Sequence, residues 1–195
     1  MIEDKVWLED PSKFIIGSDE VGRGSFAGPI CAAAVKINYS HLEFITDVKD
    51  SKKLSVKKRE EIFSIVEENN IEYSFKELAN TFIDQFGIKK ANEKVLSESI
   101  SDLYTGNEIV YVDHFKINDF KSISVVRGED NCRAIALASI VAKVIRDNLM
   151  IKFSEKYPEY SFEKNKGYGT KDHRDAISKH GLSNIHRKSF NLKPI

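Results

Sequence analysis

The stretch GSDEVGRGSFAGP, Gly17 to Pro29, places two adjacent carboxylates directly before a glycine-rich turn. It lies between the apolar runs FIIGSD (14–19) and ICAAAVKI (30–37), so we expect a β-hairpin whose first strand carries Asp19 at its end. The glycines are spaced G-x-G-x-x-x-G, which differs from the G-x-G-x-x-G of dinucleotide-binding turns. Asp19 and Glu20 would repel a phosphate by like-charge repulsion. The turn therefore needs a metal ion between it and any phosphate.

The chain has 195 residues, of which 41% are hydrophobic and 31% are charged. This length and composition predict one domain over residues 1–195 with a sizeable core. The N-terminus lacks the apolar core of a signal peptide, and the longest apolar run, 134–142, is too short to cross a bilayer. We therefore expect a cytoplasmic protein with no membrane partner. Cys31 and Cys132 are expected to be free, partly buried thiols.

Charge is distributed unevenly along the chain, although the formal net charge is zero. Residues 1–139 hold 18 Lys and Arg against 24 Asp and Glu, whereas residues 140–195 hold 12 against 6. A basic C-terminal region beside an acidic remainder is typical of a surface that binds a polyanion near a carboxylate cluster. A solvated, lysine-rich helix and tail is the alternative explanation of the same charges.

Hydrophobic periodicity predicts the remaining elements. The predicted helices cover 56–69, 84–104 and 131–153, and the predicted strands cover 71–78, 108–113 and 123–127. Ser55 is placed as the N-cap of the first of these helices. Strands followed by alternating helices and strands indicate an α/β or α+β domain with a mixed central sheet and at least one hairpin.

Acidic residues stand where a site would form. Two predicted strands end in acids, Asp19 with Glu20 and then Asp113, and sites in open α/β sheets form at the carboxyl ends of strands. Asp147 interrupts the apolar helix near the C-terminus. A charge on an otherwise buried face needs a partner, which is either Lys143 four residues earlier or a metal ion. If the four carboxylates converge, they require a cation, and their oxygen atoms favour Mg²⁺ or Mn²⁺.

Six stretches in collinear order carry a resemblance to a known family. They are DEVGRGSFAGP (19–29), DSKKLS (50–55), EIVYVD (108–113), ASIVAKVIRDNLM (138–150), YPEYSFEKNKGYGT (157–170) and HRKSF (186–190). In these stretches the sequence resembles ribonuclease HII, the type 2 ribonuclease H family, over about residues 14–190. Six motifs in the same order are far more specific than one glycine-rich turn.

The resemblance implies an α/β, RNase H-like fold, in which a mixed central β-sheet is flanked by helices. A basic helical C-terminal portion follows, over about residues 155–195. It also implies an active site of four carboxylates, which fall on Asp19, Glu20, Asp113 and Asp147. Enzymes of this kind use two divalent ions, Mg²⁺ or Mn²⁺, to cleave RNA in RNA/DNA hybrids. The implied products carry 3′-hydroxyl and 5′-phosphate ends.

The resemblance further implies how the substrate is bound. The backbone of Gly22, Arg23 and Gly24 would approach the sugar closely enough to read the 2′-hydroxyl, which separates RNA from DNA. Tyr168 would pack on the sugar at the RNA-to-DNA junction and so support cleavage 5′ of a single ribonucleotide in duplex DNA. The expected phosphate contacts are Lys52, Lys53, Lys143, Arg146 and Lys166.

Two positions depart from the pattern of the family. His114 stands where glycine commonly follows the strand-end aspartate, and Asn165 stands where histidine usually precedes KGYGT. The histidines further towards the C-terminus are expected in surface or capping roles; they are His173, His180 and His186.

Two other functions stay open. The stretch around Asp19 is also similar to that of ribonuclease HIII, which favours longer RNA tracts. Arg23 opposes that interpretation, as does the lack of room for the extra N-terminal domain of that family. The second alternative is a catalytically silent domain that binds hybrids. We expect a monomer whose partners are RNA/DNA hybrid and ribonucleotide-containing duplex DNA.

Overall fold

The computed structural model describes residues 1–45, 48 and 54–192. Five strands form one sheet: β1 (Ile15–Val21), β2 (Ile30–Ile37), β3 (Tyr73–Leu78), β4 (Ile109–Asp113) and β5 (Ser122–Val125). Eight α-helices accompany them in the described residues: α1 (Glu3–Glu9), α2 (Val56–Glu68), α3 (Asn80–Phe86), α4 (Ile88–Ser101), α5 (Gly128–Asn131), α6 (Arg133–Lys156), α7 (Phe162–Asn165) and α8 (Lys171–His180). Short 3₁₀ helices cover Tyr39–Glu43 and Pro158–Tyr160.

The sheet has the strand order β3-β2-β1-β4-β5. Strands β1 and β2 pair antiparallel, which confirms the predicted hairpin, and β3 pairs antiparallel with β2. Strand β4 pairs parallel with β1, and β5 pairs parallel with β4. The predicted mixed sheet is therefore confirmed, with β1 at its centre.

Alternate residues of β1 enter two separate apolar cores, as the two-residue period of a strand requires. Ile15 lies in the core shared with α2 and α6, and Ile16 lies in the core shared with α3 and α4. Helix α6 comes very close to β1, because a Cβ built at Gly17 would lie 2.2 Å from the carbonyl carbon of Ala134. This close packing brings the side chains of α6 to the end of β1.

Two of the three predicted helices differ from those observed by more than one residue. The predicted helix 84–104 is two helices, α3 and α4, separated at Gly87, whose φ of +82° lies outside the helical range. The first helix follows the prediction closely: the Ser55 hydroxyl accepts a hydrogen bond from the Lys58 amide at 3.2 Å and caps α2. The third predicted helix, α6, begins two residues later than expected and runs three residues further.

The predicted helical C-terminal portion is confirmed by α7, α8 and the 3₁₀ turn before them. These elements enclose a third apolar cluster that includes Met150, Tyr160 and Phe162. Both cysteines, Cys31 and Cys132, are buried and free, as expected. Within the described residues, no helix has both the length and the hydropathy of a membrane span.

Candidate active site

The carboxyl ends of β1 and β4 meet at one edge of the sheet. The parallel register pairs Ser18 with Val112. The residues that follow them, Asp19 in β1 and Asp113 in β4, therefore lie side by side. These two acids, with Glu20, line a cleft of about 420 Å³. The other side chains and backbone segments that line this cleft include Gly22, Arg23, Gly24, Arg59, Ser139, Lys143 and Tyr168. One cleft thus holds three of the four predicted acids and the glycine turn.

Asp19 is a buried carboxylate with negative neighbours. Its side chain is 7% exposed. Its Oδ1 accepts a hydrogen bond from the Glu20 amide at 2.8 Å, and the Ser139 hydroxyl is a second partner. Burial, followed by the charges of Glu20 and Asp113, raises the pKa of Asp19 to about 8. The cost of ionising this carboxyl makes a bound cation favourable here.

Asp113 is oriented by the backbone of α5. Its Oδ1 accepts a hydrogen bond from the Gly128 amide at 2.7 Å. A Cβ at Gly128 would lie 2.9 Å from the same oxygen, so only glycine allows this approach without a shift. Glu129, the next residue, is 8% exposed. This buried acid, which the sequence analysis did not single out, therefore adjoins the amide that holds Asp113.

Asp147 does not line the cleft that these three acids border. It borders a neighbouring hollow with Arg59 and Lys166 rather than the cleft itself. The Lys143 Nζ donates to its Oδ1 at 2.8 Å, which is the ion pair offered as the alternative to a metal. Ser139, the α6 residue that contacts Asp19, precedes Asp147 by eight residues, or about 12 Å along a helix axis. The role of Asp147 as a ligand stays a prediction.

The chemistry of the cleft fits a hard divalent cation. Three carboxylates border one space, and oxygen donors of this kind suit Mg²⁺ and Mn²⁺. The raised pKa of Asp19 marks a group whose charge the described protein groups do not compensate. Within residues 1–45, 48 and 54–192, however, no three His, Cys, Asp or Glu side chains are grouped closely enough to enclose an ion. The cleft therefore suits a divalent ion through its carboxylate oxygens and through the uncompensated charge of Asp19.

The two outer glycines of the predicted sugar-reading turn differ in what the protein requires of them. Gly22 has a φ of +84°, and a Cβ there would lie 2.2 Å from the Nε of Arg146. Gly24 is exposed, its φ lies outside the left-handed region, and no described atom lies within 4 Å of a Cβ built on it. The fold therefore requires glycine at position 22 but not at position 24.

Arg146 is buried, which contradicts the expectation that it contacts a phosphate. The side chain is 0% exposed. Its guanidinium donates to the carbonyls of Pro29 at 3.1 Å and Lys166 at 3.0 Å and to the Ser25 hydroxyl at 3.0 Å. A guanidinium enclosed in this way has no surface for a phosphate. Arg146 instead joins the glycine turn to the loop that carries Tyr168.

The loop 165–169 places Tyr168 at the cleft. The Asn165 side chain accepts from the Gly167 amide at 2.8 Å and donates to the Tyr160 carbonyl at 2.7 Å, so this departure from the family pattern has a structural role. The Phe26 amide donates to the Gly167 carbonyl at 2.7 Å and ties the loop to the turn. Tyr168 is partly exposed, which leaves its ring accessible.

The predicted basic contacts are only partly gathered around Tyr168. The Lys143 Nζ lies 5.9 Å from the Tyr168 ring centroid and borders the cleft. Arg23 is exposed, with its guanidinium 4.9 Å from the ring centroid of Phe115. Lys166 borders the hollow beside Asp147. The remaining two, Lys52 and Lys53, lie outside the described residues.

Three histidines have surroundings that differ from simple surface positions. His114 has a φ of +56°, the left-handed conformation that favours glycine, which gives a physical reason for glycine at this position in the family. His173 and His186 are 0% exposed, so the expectation of surface or capping roles is wrong for them. His180 is exposed, as expected.

Sequence reasoning missed four residues that the structure brings to the site or its supports: Ser139, Arg59, Glu129 and Arg187. A signal existed for Ser139, because it precedes Lys143 by one helical turn and so shares its face of α6. No periodic or motif signal marks Glu129. Arg187 stands in the HRKSF motif, but its burial and partners follow from contacts distant in sequence.

Comparisons with known proteins agree with one another. The sequence model of the ribonuclease HII family matches residues 16–193. Ribonuclease HII of Rickettsia canadensis is 45% identical over 177 residues, which cover 90% of this chain and 89% of that protein. Ribonuclease HII of Caldicellulosiruptor bescii is 42% identical over 191 residues, which cover 97% of this chain and 91% of that protein.

Solved structures show the same fold. Ribonuclease H2 from Pyrococcus horikoshii has a TM-score of 0.76 at 24% identity, over 92% of this chain and 94% of that one. Ribonuclease HII from Archaeoglobus fulgidus, solved in complex with PCNA, has a TM-score of 0.74 at 25% identity, over 89% and 91%. Bst-RNase HIII in complex with Mn²⁺ has a TM-score of 0.71 at 20% identity, over 93% of this chain and 68% of that one.

Proposed function

The chain belongs to the ribonuclease HII family of ribonuclease H endonucleases, which act on RNA/DNA hybrids, and we propose that it also cleaves duplex DNA 5′ of single embedded ribonucleotides. Cleavage would leave 3′-hydroxyl and 5′-phosphate ends. The observation that carries this proposal is the cleft in which Asp19 and Asp113 face the glycine turn 22–24. Acids that attract a divalent ion and a backbone that can approach a sugar border the same space.

Members of this family depend on divalent metal ions, and Asp19, Glu20 and Asp113 would hold them in this chain. When bound, Mg²⁺ or Mn²⁺ would polarise the scissile phosphate and lower the pKa of the attacking water. The protein keeps the acids in place: Ser139 and the Glu20 amide orient Asp19, and the Gly128 amide orients Asp113.

The identity of the fourth acid is open to direct test. The sequence predicts Asp147, which pairs with Lys143 and borders the neighbouring hollow. Glu129 is the second candidate, because it is buried and follows the residue whose amide holds Asp113. Either acid would add a fourth carboxylate to the three that border the cleft.

Recognition of ribose is assigned to the turn. Gly24 is exposed and has open space where a side chain would stand, so a sugar could come close to its backbone. The 2′-hydroxyl would then be read by main-chain groups. Tyr168 would pack against the adjoining sugar from the other side of the cleft, and Lys143 beside it would contact a phosphate. Phosphate contacts by Lys52, Lys53 and Lys166 remain predictions.

The decisive experiment compares two labelled substrates. One is a DNA duplex with a single ribonucleotide, and the other is an RNA/DNA hybrid of equal length; each is incubated with Mg²⁺, Mn²⁺ or a chelator. We expect metal-dependent cleavage of both, with the first cut 5′ of the ribose. Cleavage of the long hybrid alone would assign a ribonuclease HIII-like preference and overturn the single-ribonucleotide proposal.

A variant pair separates catalysis from binding. Asp113→Asn should lose cleavage and keep affinity for the hybrid, because the amide still accepts the Gly128 hydrogen bond but weakens the cation site. The control is Asp102→Asn, since Asp102 is an exposed acid paired with Lys76 at 2.7 Å and lies outside the cleft. Unchanged cleavage in Asp113→Asn would contradict the assignment. The single domain, the monomeric state and the cytoplasmic location stay predictions.

A further inference from the structure

Arg187 is a fully buried cation in the segment that follows α8. Its side chain is 0% exposed. The segment is fixed against the glycine turn by a bridge between His186 and Ala27 and by the Arg187 amide, which donates to the Phe26 carbonyl at 2.8 Å. Arg187 thus approaches the turn from the protein interior, and it does not line the cleft.

The Arg187 guanidinium binds carbonyls of the turn. Its Nε donates to the Gly28 carbonyl at 3.0 Å, and its Nη1 donates to the Arg23 carbonyl at 2.9 Å. Within the described residues it forms no salt bridge, and its Nη2 is buried without a hydrogen-bond partner. A buried guanidinium with an unpaired nitrogen is costly, so stability alone does not explain an arginine here.

The bond to the Arg23 carbonyl fixes the direction of one amide in the cleft. The peptide bond between Arg23 and Gly24 is trans, so its C=O and N–H point in opposite directions. Because Arg187 holds the carbonyl inward, the Gly24 N–H points outward, where Gly24 borders the cleft. No described acceptor takes this N–H, which leaves it available as a donor.

We propose that Arg187 is a positioning residue for sugar recognition: it holds the Arg23 carbonyl inward and thereby aims the Gly24 N–H at the 2′-oxygen of a ribonucleotide. This inference rests on the proposed function, since it names the residue that sets the geometry of the ribose-reading turn. Without Arg187, the 23–24 peptide can rotate and present its carbonyl to the cleft, which removes the donor for the 2′-oxygen.

The test measures binding rather than cleavage. Affinities for an all-DNA duplex and for the same duplex with one ribonucleotide are measured by fluorescence anisotropy in the presence of chelator. We expect the wild-type protein to prefer the ribonucleotide duplex. In Arg187→Met this preference should fall about five-fold, the effect of one lost hydrogen bond, while affinity for the all-DNA duplex is kept.

The matched control is Lys36→Met. Lys36 is also a buried cation, 8% exposed and paired with Glu108 at 2.8 Å, but it lies towards the other end of the sheet, opposite Ile16. We expect Lys36→Met to lose stability and to keep the ribose preference. If Arg187→Met does not fold, Arg187→Lys replaces it. The retained charge on a single nitrogen, without the planar fork of the guanidinium, should give an intermediate preference.

The outcomes separate this inference from the function on which it rests. A wild-type protein that neither cleaves nor prefers the ribonucleotide duplex overturns both. A wild-type preference that the Arg187 variants keep in full overturns the positioning role alone and leaves the proposed function standing. An equal loss of affinity for both duplexes also overturns it, because such a loss indicates general damage to the binding surface.

Discussion

His173 and His186 face each other through their Nε2 atoms at 3.0 Å inside the C-terminal core. The Nδ1 of His173 lies 2.9 Å from the Tyr168 carbonyl and must donate to it, whereas the Nδ1 of His186 accepts from the Ser183 amide at 2.9 Å. The proton between the rings therefore belongs to His186. This pair connects the loop of Tyr168 to the segment that carries Arg187, and it requires both rings to be neutral.

The histidine pair predicts a loss of stability in acid. Burial, together with His173, lowers the pKa of His186 from 6.5 to about 4. The unfolded chain therefore binds the proton first, and stability falls as the pH drops from about 6.5 towards 4. We expect the stability advantage of wild type over His186→Gln to shrink by about 2 kcal/mol between pH 7.5 and 5, measured by urea unfolding of the metal-free proteins. His180→Gln, which changes an exposed ring, is the control. A pH-independent difference would contradict this account.

Asp19 predicts the opposite pH dependence. Its folded-state pKa of about 8 exceeds the ordinary value of 3.8, so the metal-free protein loses stability as the pH rises from about 4 to 8. Asp19→Asn should raise the free energy of unfolding by about 2 kcal/mol or more at pH 7.5 and by less at pH 5, while cleavage is lost. Thermal unfolding at the two pH values checks the difference in stability. When Mn²⁺ is added, the ion should stabilise the wild type more than the variant. Lower stability of Asp19→Asn at pH 7.5 would refute the prediction.

The turn predicts different costs for its two glycines. Gly22→Ala should destabilise the protein by about 1–3 kcal/mol, because it combines a φ of +84° with a contact to Arg146. Gly24→Ala should leave the free energy of unfolding within about 0.5–1 kcal/mol of wild type. Its cleavage of the single-ribonucleotide duplex should nevertheless fall about ten-fold or more, since the methyl group occupies space for the sugar. Full activity in a stable Gly24→Ala protein would exclude close approach at this residue.

The fourth acid is decided by paired variants. From burial and from the link through Gly128 to Asp113, we expect Glu129→Gln to reduce cleavage about 100-fold. Asp147→Asn should reduce it by about ten-fold or less, because Asp147 neutralises Lys143 at the edge of the site. Steady-state cleavage of the RNA/DNA hybrid with Mg²⁺ gives both values. The reverse order would restore Asp147 as the fourth ligand.

Much of the fold could be predicted because its signals are local. The run ICAAAVKI is apolar except for Lys36 and forms β2, which is buried along its whole length. The acids at the ends of β1 and β4 could be predicted to meet, because parallel neighbouring strands bring their carboxyl ends to one edge. The break at Gly87 was missed because the hydrophobic period continues across it, and only the backbone conformation separates the two helices.

Contiguous motifs and strand periodicity encode the family and the mixed sheet, and they also predict that Asp19, Glu20 and Asp113 border one space. The roles of the arginines, by contrast, depend on tertiary contacts. Arg146 and Arg187 are arginines, a residue type that often binds phosphate. Both are nevertheless buried, and they donate to carbonyls of the stretch 17–29. A guanidinium can donate its hydrogen bonds either to a phosphate or to a backbone carbonyl. Its partner depends on which groups the folded chain brings within hydrogen-bond distance, and the Arg187–Arg23 pair is 164 residues apart in sequence.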